Sequence, residues 1–274
     1  ALRRVAALAA GLWLLAGAGG AAAQSILSTG GSLAEMRLLP GRMQADGTRL
    51  AGLSISLSDG WKTYWRSPGE AGVPPALDFS ASENLAGVEV LWPRPILFES
   101  FGLTTVGYAG RVVLPLRLVP EDAAAPIRLA LDASYGVCRE VCVFEEAEIA
   151  RALPPGLADG AGEVARWLAR VPPPGPEAGL ERATCRIEGA GETRRFSARL
   201  AFAGPLRAPT VLLEGTDRAW FHDVETRAEG RAVHVEAALS LASAEAWLPR
   251  KAVRMTVLAD GLSADIRGCT GGDG

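Results

Sequence analysis

Apolar and polar residues alternate with period two through most of this chain, and no other feature constrains the fold as much. Leu53, Ile55 and Leu57 alternate with serines. Val112, Leu114, Leu116 and Leu118 line one face of a second segment, and Ile127, Leu129, Leu131, Ala133 and Tyr135 line a third. The pattern returns at Phe196, Ala198, Leu200 and Phe202, at Val233, Val235, Ala237 and Leu239, and at Val253, Met255, Val257 and Ala259. A side-chain period of two means strands with one buried and one wet face, as in antiparallel sheets.

One segment departs from that period. Val164, Trp167, Leu168 and Val171 fall at i, i+3, i+4 and i+7, the apolar face of a short helix. Pro154-Pro155 precede it and Pro172-Pro173-Pro174 follow it, and proline ends helices because it lacks an amide. The expected fold is therefore all-β, with two immunoglobulin-like β-sandwich domains joined by a short helical, Pro-rich linker. The expected boundaries are 27–153 for the first domain, 154–178 for the linker and 179–274 for the second domain with its Gly-rich tail.

Residues 1–23 read as a secretory signal peptide: Arg3 and Arg4, an apolar run from Val5 to Ala18, then Ala21-Ala22-Ala23 as a cleavage site. The run is shorter than the roughly 20 apolar residues that span a bilayer. After cleavage the chain is expected to be periplasmic and not itself membrane-spanning. The balance of 28 Lys+Arg against 31 Asp+Glu gives a net charge of −3, with no basic run. Such a chain is a poor ligand for nucleic acid or anionic lipid.

Disulfides persist in an exported protein, which makes the four cysteines the most informative residues. Cys138 and Cys142 form a C-x3-C pair, and Cys185 and Cys269 lie far apart. Near with near and far with far is the natural pairing, with Cys185–Cys269 as a structural disulfide. Extended chain places residues four apart about 13 Å from each other, and a disulfide needs Cα atoms within about 7 Å. A Cys138–Cys142 bond therefore requires residues 139–141 to turn back. The strand leading into Cys138 favours a hairpin, and the bridge at its tip is expected to be short, exposed and reducible. Arg139 would stabilise a thiolate, whereas Glu140, Glu145 and Glu146 would oppose it.

Other chemistries lack residue support. There is no G-x-S-x-G elbow, H-E-x-x-H, P-loop or G-x-G-x-x-G fingerprint. His222 and His234 read as surface or loop residues. No cofactor and no metal site is implied. Redox exchange, a structural bridge and Cu(I) binding by soft thiolates all remain open for the C-x3-C pair. Trp61, Tyr64 and Trp65 read as core packing.

Two segments, with Trp92-Pro93 and Gly107-Tyr108-Ala109-Gly110 between them, carry a resemblance. One runs Gly60-Trp61-Lys62-Thr63-Tyr64-Trp65-Arg66-Ser67-Pro68-Gly69-Glu70-Ala71-Gly72. The other runs Tyr135-Gly136-Val137-Cys138-Arg139-Glu140-Val141-Cys142. Over about residues 30–152 the chain resembles the N-terminal periplasmic domain of the DsbD/ScsB-type thiol:disulfide interchange proteins. The resemblance implies an immunoglobulin-like domain whose two cysteines cycle between dithiol and disulfide, a protein-disulfide oxidoreductase module that needs a partner for its electrons. It implies Cys142 as the exchanging sulfur and Cys138 as the resolving one. It implies an aromatic cap loop at Phe98-Glu99-Ser100-Phe101-Gly102, with Phe101 as first candidate and Phe98 as second. The implied partners are a transmembrane electron-transfer protein and periplasmic thioredoxin-like or disulfide-bonded proteins. Lys62 stands where the family pattern has histidine, and Val143-Phe144 stand where many relatives have proline. The chain shows no membrane-spanning bundle and no thioredoxin domain, which implies a standalone form. The rival reading is a non-catalytic periplasmic module that binds Cu(I) or docks partners.

Overall fold

The computed structural model describes residues 33–100 and 102–271; the signal segment expected at 1–23 and the cap candidate Phe101 lie outside the described residues. The chain from Ser32 onward forms one compact unit. It is all-β, as its period-two pattern requires.

Ten strands build the first lobe. They are β1 (Ala34–Met43), β2 (Arg49–Leu57), β3 (Lys62–Gly69), β4 (Ala76–Asp78) and β5 (Gly87–Val90), then β6 (Ile96–Ser100), β7 (Leu103–Ala109), β8 (Arg111–Val119), β9 (Ile127–Cys138) and β10 (Cys142–Leu153). One sheet has the order β1-β2-β8-β5, and the other has β10-β9-β3-β7-β6 with β4 also on β9. Between them lies a core that includes Leu53, Ile55, Trp65, Leu114, Leu116, Leu129, Leu131 and Val137. In β9 the odd residues from Ile127 to Tyr135 are buried, as their spacing predicts. In β8 burial is not alternating, and Val113 is as fully buried as Leu114. The reason is the helix α1 (Ala161–Leu168), which lies against β8, β1 and β2 with Val164 buried beneath it. The helix ends at Leu168, so Val171 falls outside it although it fits the helical spacing.

Arg49 fixes the path of the chain after β10. It is fully buried, and its guanidinium donates to the carbonyls of Pro40 (2.8 Å), Leu153 (3.3 Å), Pro154 (2.8 Å) and Leu157 (2.6 Å). A buried cation is tolerated only when its donors are satisfied, and these carbonyls supply that. Burial still lowers the Arg49 pKa from its ordinary value.

The second lobe contains β11 (Leu180–Glu188), β12 (Thr193–Phe202), β13 (Thr210–Glu214) and β14 (Ala219–Glu229), followed by β15 (Ala232–Leu241), β16 (Arg254–Ala259), β17 (Leu262–Arg267) and β18 (Thr270–Gly271). A five-stranded sheet β14-β15-β12-β11-β18 faces a three-stranded sheet β13-β16-β17. Phe196, Leu200, Phe202, Val235, Leu239, Met255 and Val257 belong to the core this lobe buries. Cys185 on β11 is bonded to Cys269, with Cα atoms 5.7 Å apart, beside the parallel pairing of β18 on β11.

Charged groups join the lobes. Arg66, on β3, donates two hydrogen bonds to the Glu214 carboxylate at 2.9 and 2.8 Å and one to Thr256 Oγ1 at 3.1 Å. Its guanidinium stacks 3.7 Å from the Trp65 ring centroid. Asp265 lies 4.0 Å from Arg66 and takes a two-pronged pair from Arg254 at 2.6 and 2.9 Å.

Candidate functional site

Strands β9 and β10 pair without a register shift from Leu153↔Ile127 to Cys142↔Cys138. Residues 139–141 close that hairpin, with the Arg139 amide donating to the Val141 carbonyl at 3.1 Å. This turn brings the two cysteine Cα atoms to 4.2 Å, and the sulfurs are bonded. The two sides of the bridge differ. Cys138 is 2% exposed, whereas Cys142 opens the edge strand and is exposed. The bridge is therefore half-buried, not exposed throughout as the spacing alone suggests.

Tyr64 covers the buried half. Its hydroxyl lies 2.7 Å from Cys138 Sγ and 3.4 Å from Cys142 Sγ. Bonded sulfurs carry no hydrogen, so the phenol donates. A phenol keeps its proton at neutral pH, and burial raises the Tyr64 pKa further above its ordinary value. The ring fits because two glycines leave it room. A Cβ on Gly136 would sit 2.7 Å from Tyr64 Cε2, and one on Gly72, whose φ is +111°, would sit 2.3 Å from Tyr64 Cε1. Tyr64 is thus more than the core residue its apolar neighbours suggest. A signal was present: Gly136 lies inside a strand two residues before Cys138, and a strand glycine often marks a close approach. Below the bridge, Thr63 Oγ1 donates to the Gly136 carbonyl at 2.8 Å.

The remaining candidates surround this pair. Lys62 pairs in register with Cys138 on one side and Ala109 on the other. The Lys62 ammonium sits 5.2 Å from the Phe98 ring centroid. Phe98 is half-buried on β6 and reaches toward Gly107, opposite Tyr64 in the β3–β7 ladder. Arg139, expected beside a thiolate, instead turns to Trp61, its guanidinium 5.7 Å from that ring. Around Cys142, Val141 and Phe144 are 61% and 67% exposed, an apolar margin on the outer side of the tip.

Among the described residues, the other cysteines and the histidines form no second centre. Cys185 and Cys269 are bonded in the other lobe. His222 bridges Asp223 Oδ2 and Ser240 Oγ at 2.9 Å each, on an exposed edge. His234 lies 3.5 Å from Glu229. Among the described residues no group of three or more His, Cys, Asp or Glu is placed to hold a metal ion, and no helix is long and apolar enough to cross a membrane.

The chain is similar over its whole fold to the crystal structure of the N-terminal periplasmic domain of ScsB from Proteus mirabilis. The TM-score is 0.71 at 22% identity, covering 89% of this chain and 95% of that one. At that identity the likeness speaks for the fold, and it takes in both lobes. No curated protein sequence matches the chain. Residues 35–154 match the family described as thiol:disulfide interchange protein DsbD, N-terminal. That segment contains the Cys138–Cys142 bridge together with Trp61, Lys62, Tyr64, Gly72, Phe98 and Gly136, so the lobe bearing the cysteine pair is a domain of the DsbD N-terminal family.

Proposed function

We propose that this protein is a periplasmic thiol:disulfide interchange module in which Cys138 and Cys142 alternate between dithiol and disulfide. It passes electrons between a membrane reductase and thioredoxin-like or disulfide-bonded periplasmic proteins. The observation that carries the reading is the unequal burial of the bridge at a hairpin tip, exposed at Cys142 and covered by Tyr64 at Cys138.

Chemistry follows from that asymmetry. A partner thiolate reaches Cys142 Sγ, forms a new S–S bond there, and expels Cys138 as a thiolate. The sulfur that leaves is the one already accepting the Tyr64 hydroxyl at 2.7 Å. The partner's second thiolate then attacks its own sulfur in the mixed disulfide and releases Cys142. Two electrons have moved from the partner dithiol to the pair, and the reverse sequence reduces a substrate disulfide. Phe101, or in its place the half-buried Phe98, serves as the cap that keeps stray oxidants from the reduced pair.

Single-cysteine variants test the roles. Cys138→Ser leaves Cys142 without its resolving sulfur and should accumulate mixed disulfides with periplasmic proteins on non-reducing gels. Cys142→Ser should trap far fewer. Equal trapping, or the reverse asymmetry, contradicts the assignment.

A further inference from the structure

The β3–β9 ladder pairs Lys62 with Cys138. Paired residues in an antiparallel ladder share a face and hold their Cβ atoms about 5 Å apart, so a lysine stem in that position spans the distance to the sulfur. The side chain is half-buried, and its ammonium rests over the Phe98 ring at 5.2 Å. The other cation of the hairpin, Arg139, is turned away onto Trp61. The carboxylates of the hairpin work against a thiolate: Glu140 in the turn and Glu145 and Glu146 on β10; of these, and of Glu99 beside Phe98 on β6, only Glu145 is half-buried.

We infer that Lys62 is the counter-charge of the Cys138 thiolate, parked on Phe98 while the bridge is closed and drawn to the sulfur when it opens. The inference rests on the exchange reading above. When a partner thiolate bonds to Cys142, the pair of electrons of the broken S–S bond goes to Cys138 Sγ. Tyr64 supplies one hydrogen bond to that sulfur and Lys62 supplies the charge, so no proton is needed at that step. A cation–π contact is weak enough to be exchanged for an ion pair with a thiolate. The same movement uncouples Phe98 from Lys62 and ties the position of the cap ring to the redox state.

The test uses the full chain with Cys142→Ser, which leaves Cys138 as the single thiol of the pair. Its thiolate absorbance is followed against pH with Lys62 intact and as Lys62→Met, Lys62→Gln and Lys62→Arg. Removing a cation at this range should raise the Cys138 pKa by about one unit, and arginine should keep it near the parent value. The difference should shrink at 1 M salt, where charges are screened within about 3 Å. With both cysteines present, reduction of the oxidised protein by dithiothreitol should be about threefold slower in Lys62→Met, because a more basic thiol leaves more slowly. An unchanged pKa in both Met and Gln variants, or a rise that arginine does not prevent, overturns the role of Lys62. Failure of the oxidised parent to be reduced at all overturns the exchange reading instead.

Discussion

At the scale of single residues, the account turns on Tyr64. A phenol held 2.7 Å from Cys138 Sγ strengthens as a donor once that sulfur carries charge. Tyr64→Phe keeps the ring between Gly72 and Gly136 and removes only the hydroxyl. It should slow partner exchange by about tenfold, the worth of one hydrogen bond to a charged group, with little change in melting temperature. Stopped-flow exchange alongside thermal unfolding checks this, and an unchanged rate removes the hydroxyl from the mechanism. The cap is tested in the same way. Phe98→Ala or Phe101→Ala should speed reaction of the reduced pair with a small disulfide reagent, with global stability nearly constant. Unchanged rates in both variants would remove the cap. The pairing of Cys138 with Cys142 was legible in the sequence because the C-x3-C spacing is a local property. The role of Tyr64 was not, because it depends on the 64-to-138 approach across the β3–β9 pairing, which no local pattern records.

At the scale of elements, period two located most strands, since alternation follows directly from the pleat. It misjudged β8, whose second face is covered by α1, so Val113 is buried beside Leu114. The helix itself was legible from its four apolar positions, but its end was not, and Val171 lies beyond Leu168. Strand β3 has a double duty that sequence could not show. It presents Tyr64 to the sulfurs, and two residues further on it sends Arg66 into the second lobe, to Glu214. Side chains of Arg66 and Glu214 are only 12% and 16% exposed. Removing one member of such a pair leaves a buried charge with poor compensation. Glu214→Gln should therefore destabilise the protein by about 3 kcal/mol, measured by urea unfolding. A loss below about 0.5 kcal/mol would mean the pair behaves as a surface contact.

At the scale of the whole molecule, two cores lie in one compact unit, and the charged cluster between them makes stability depend on pH. Burial raises the carboxyl of Asp265. The hydrogen bonds and charge of Arg254, with the charge of Arg66, more than reverse this, so Asp265 titrates below the ordinary carboxylate range. A carboxyl depressed in the folded state contributes stability that is complete above its unfolded pKa of about 3.9 and is lost as pH falls through the lower folded value. Asp265→Asn should be less stable than the parent at pH 7, and the gap should close below about pH 4. A gap independent of pH would assign the effect to packing. The two disulfides divide the molecule in a second way. In the chain-entropy treatment, a bridge closing 84 residues is worth about 4.5 kcal/mol and one closing four residues about 2. The short bridge also presents one sulfur to solvent. The most direct test of the account is a glutathione redox titration of the oxidised protein, with each bridge followed by alkylation and peptide mass. Cys138–Cys142 should open and re-form reversibly across a poise at which Cys185–Cys269 stays closed. A Cys138–Cys142 bridge that resists reduction as strongly as Cys185–Cys269 would contradict the claim that this pair carries the electrons.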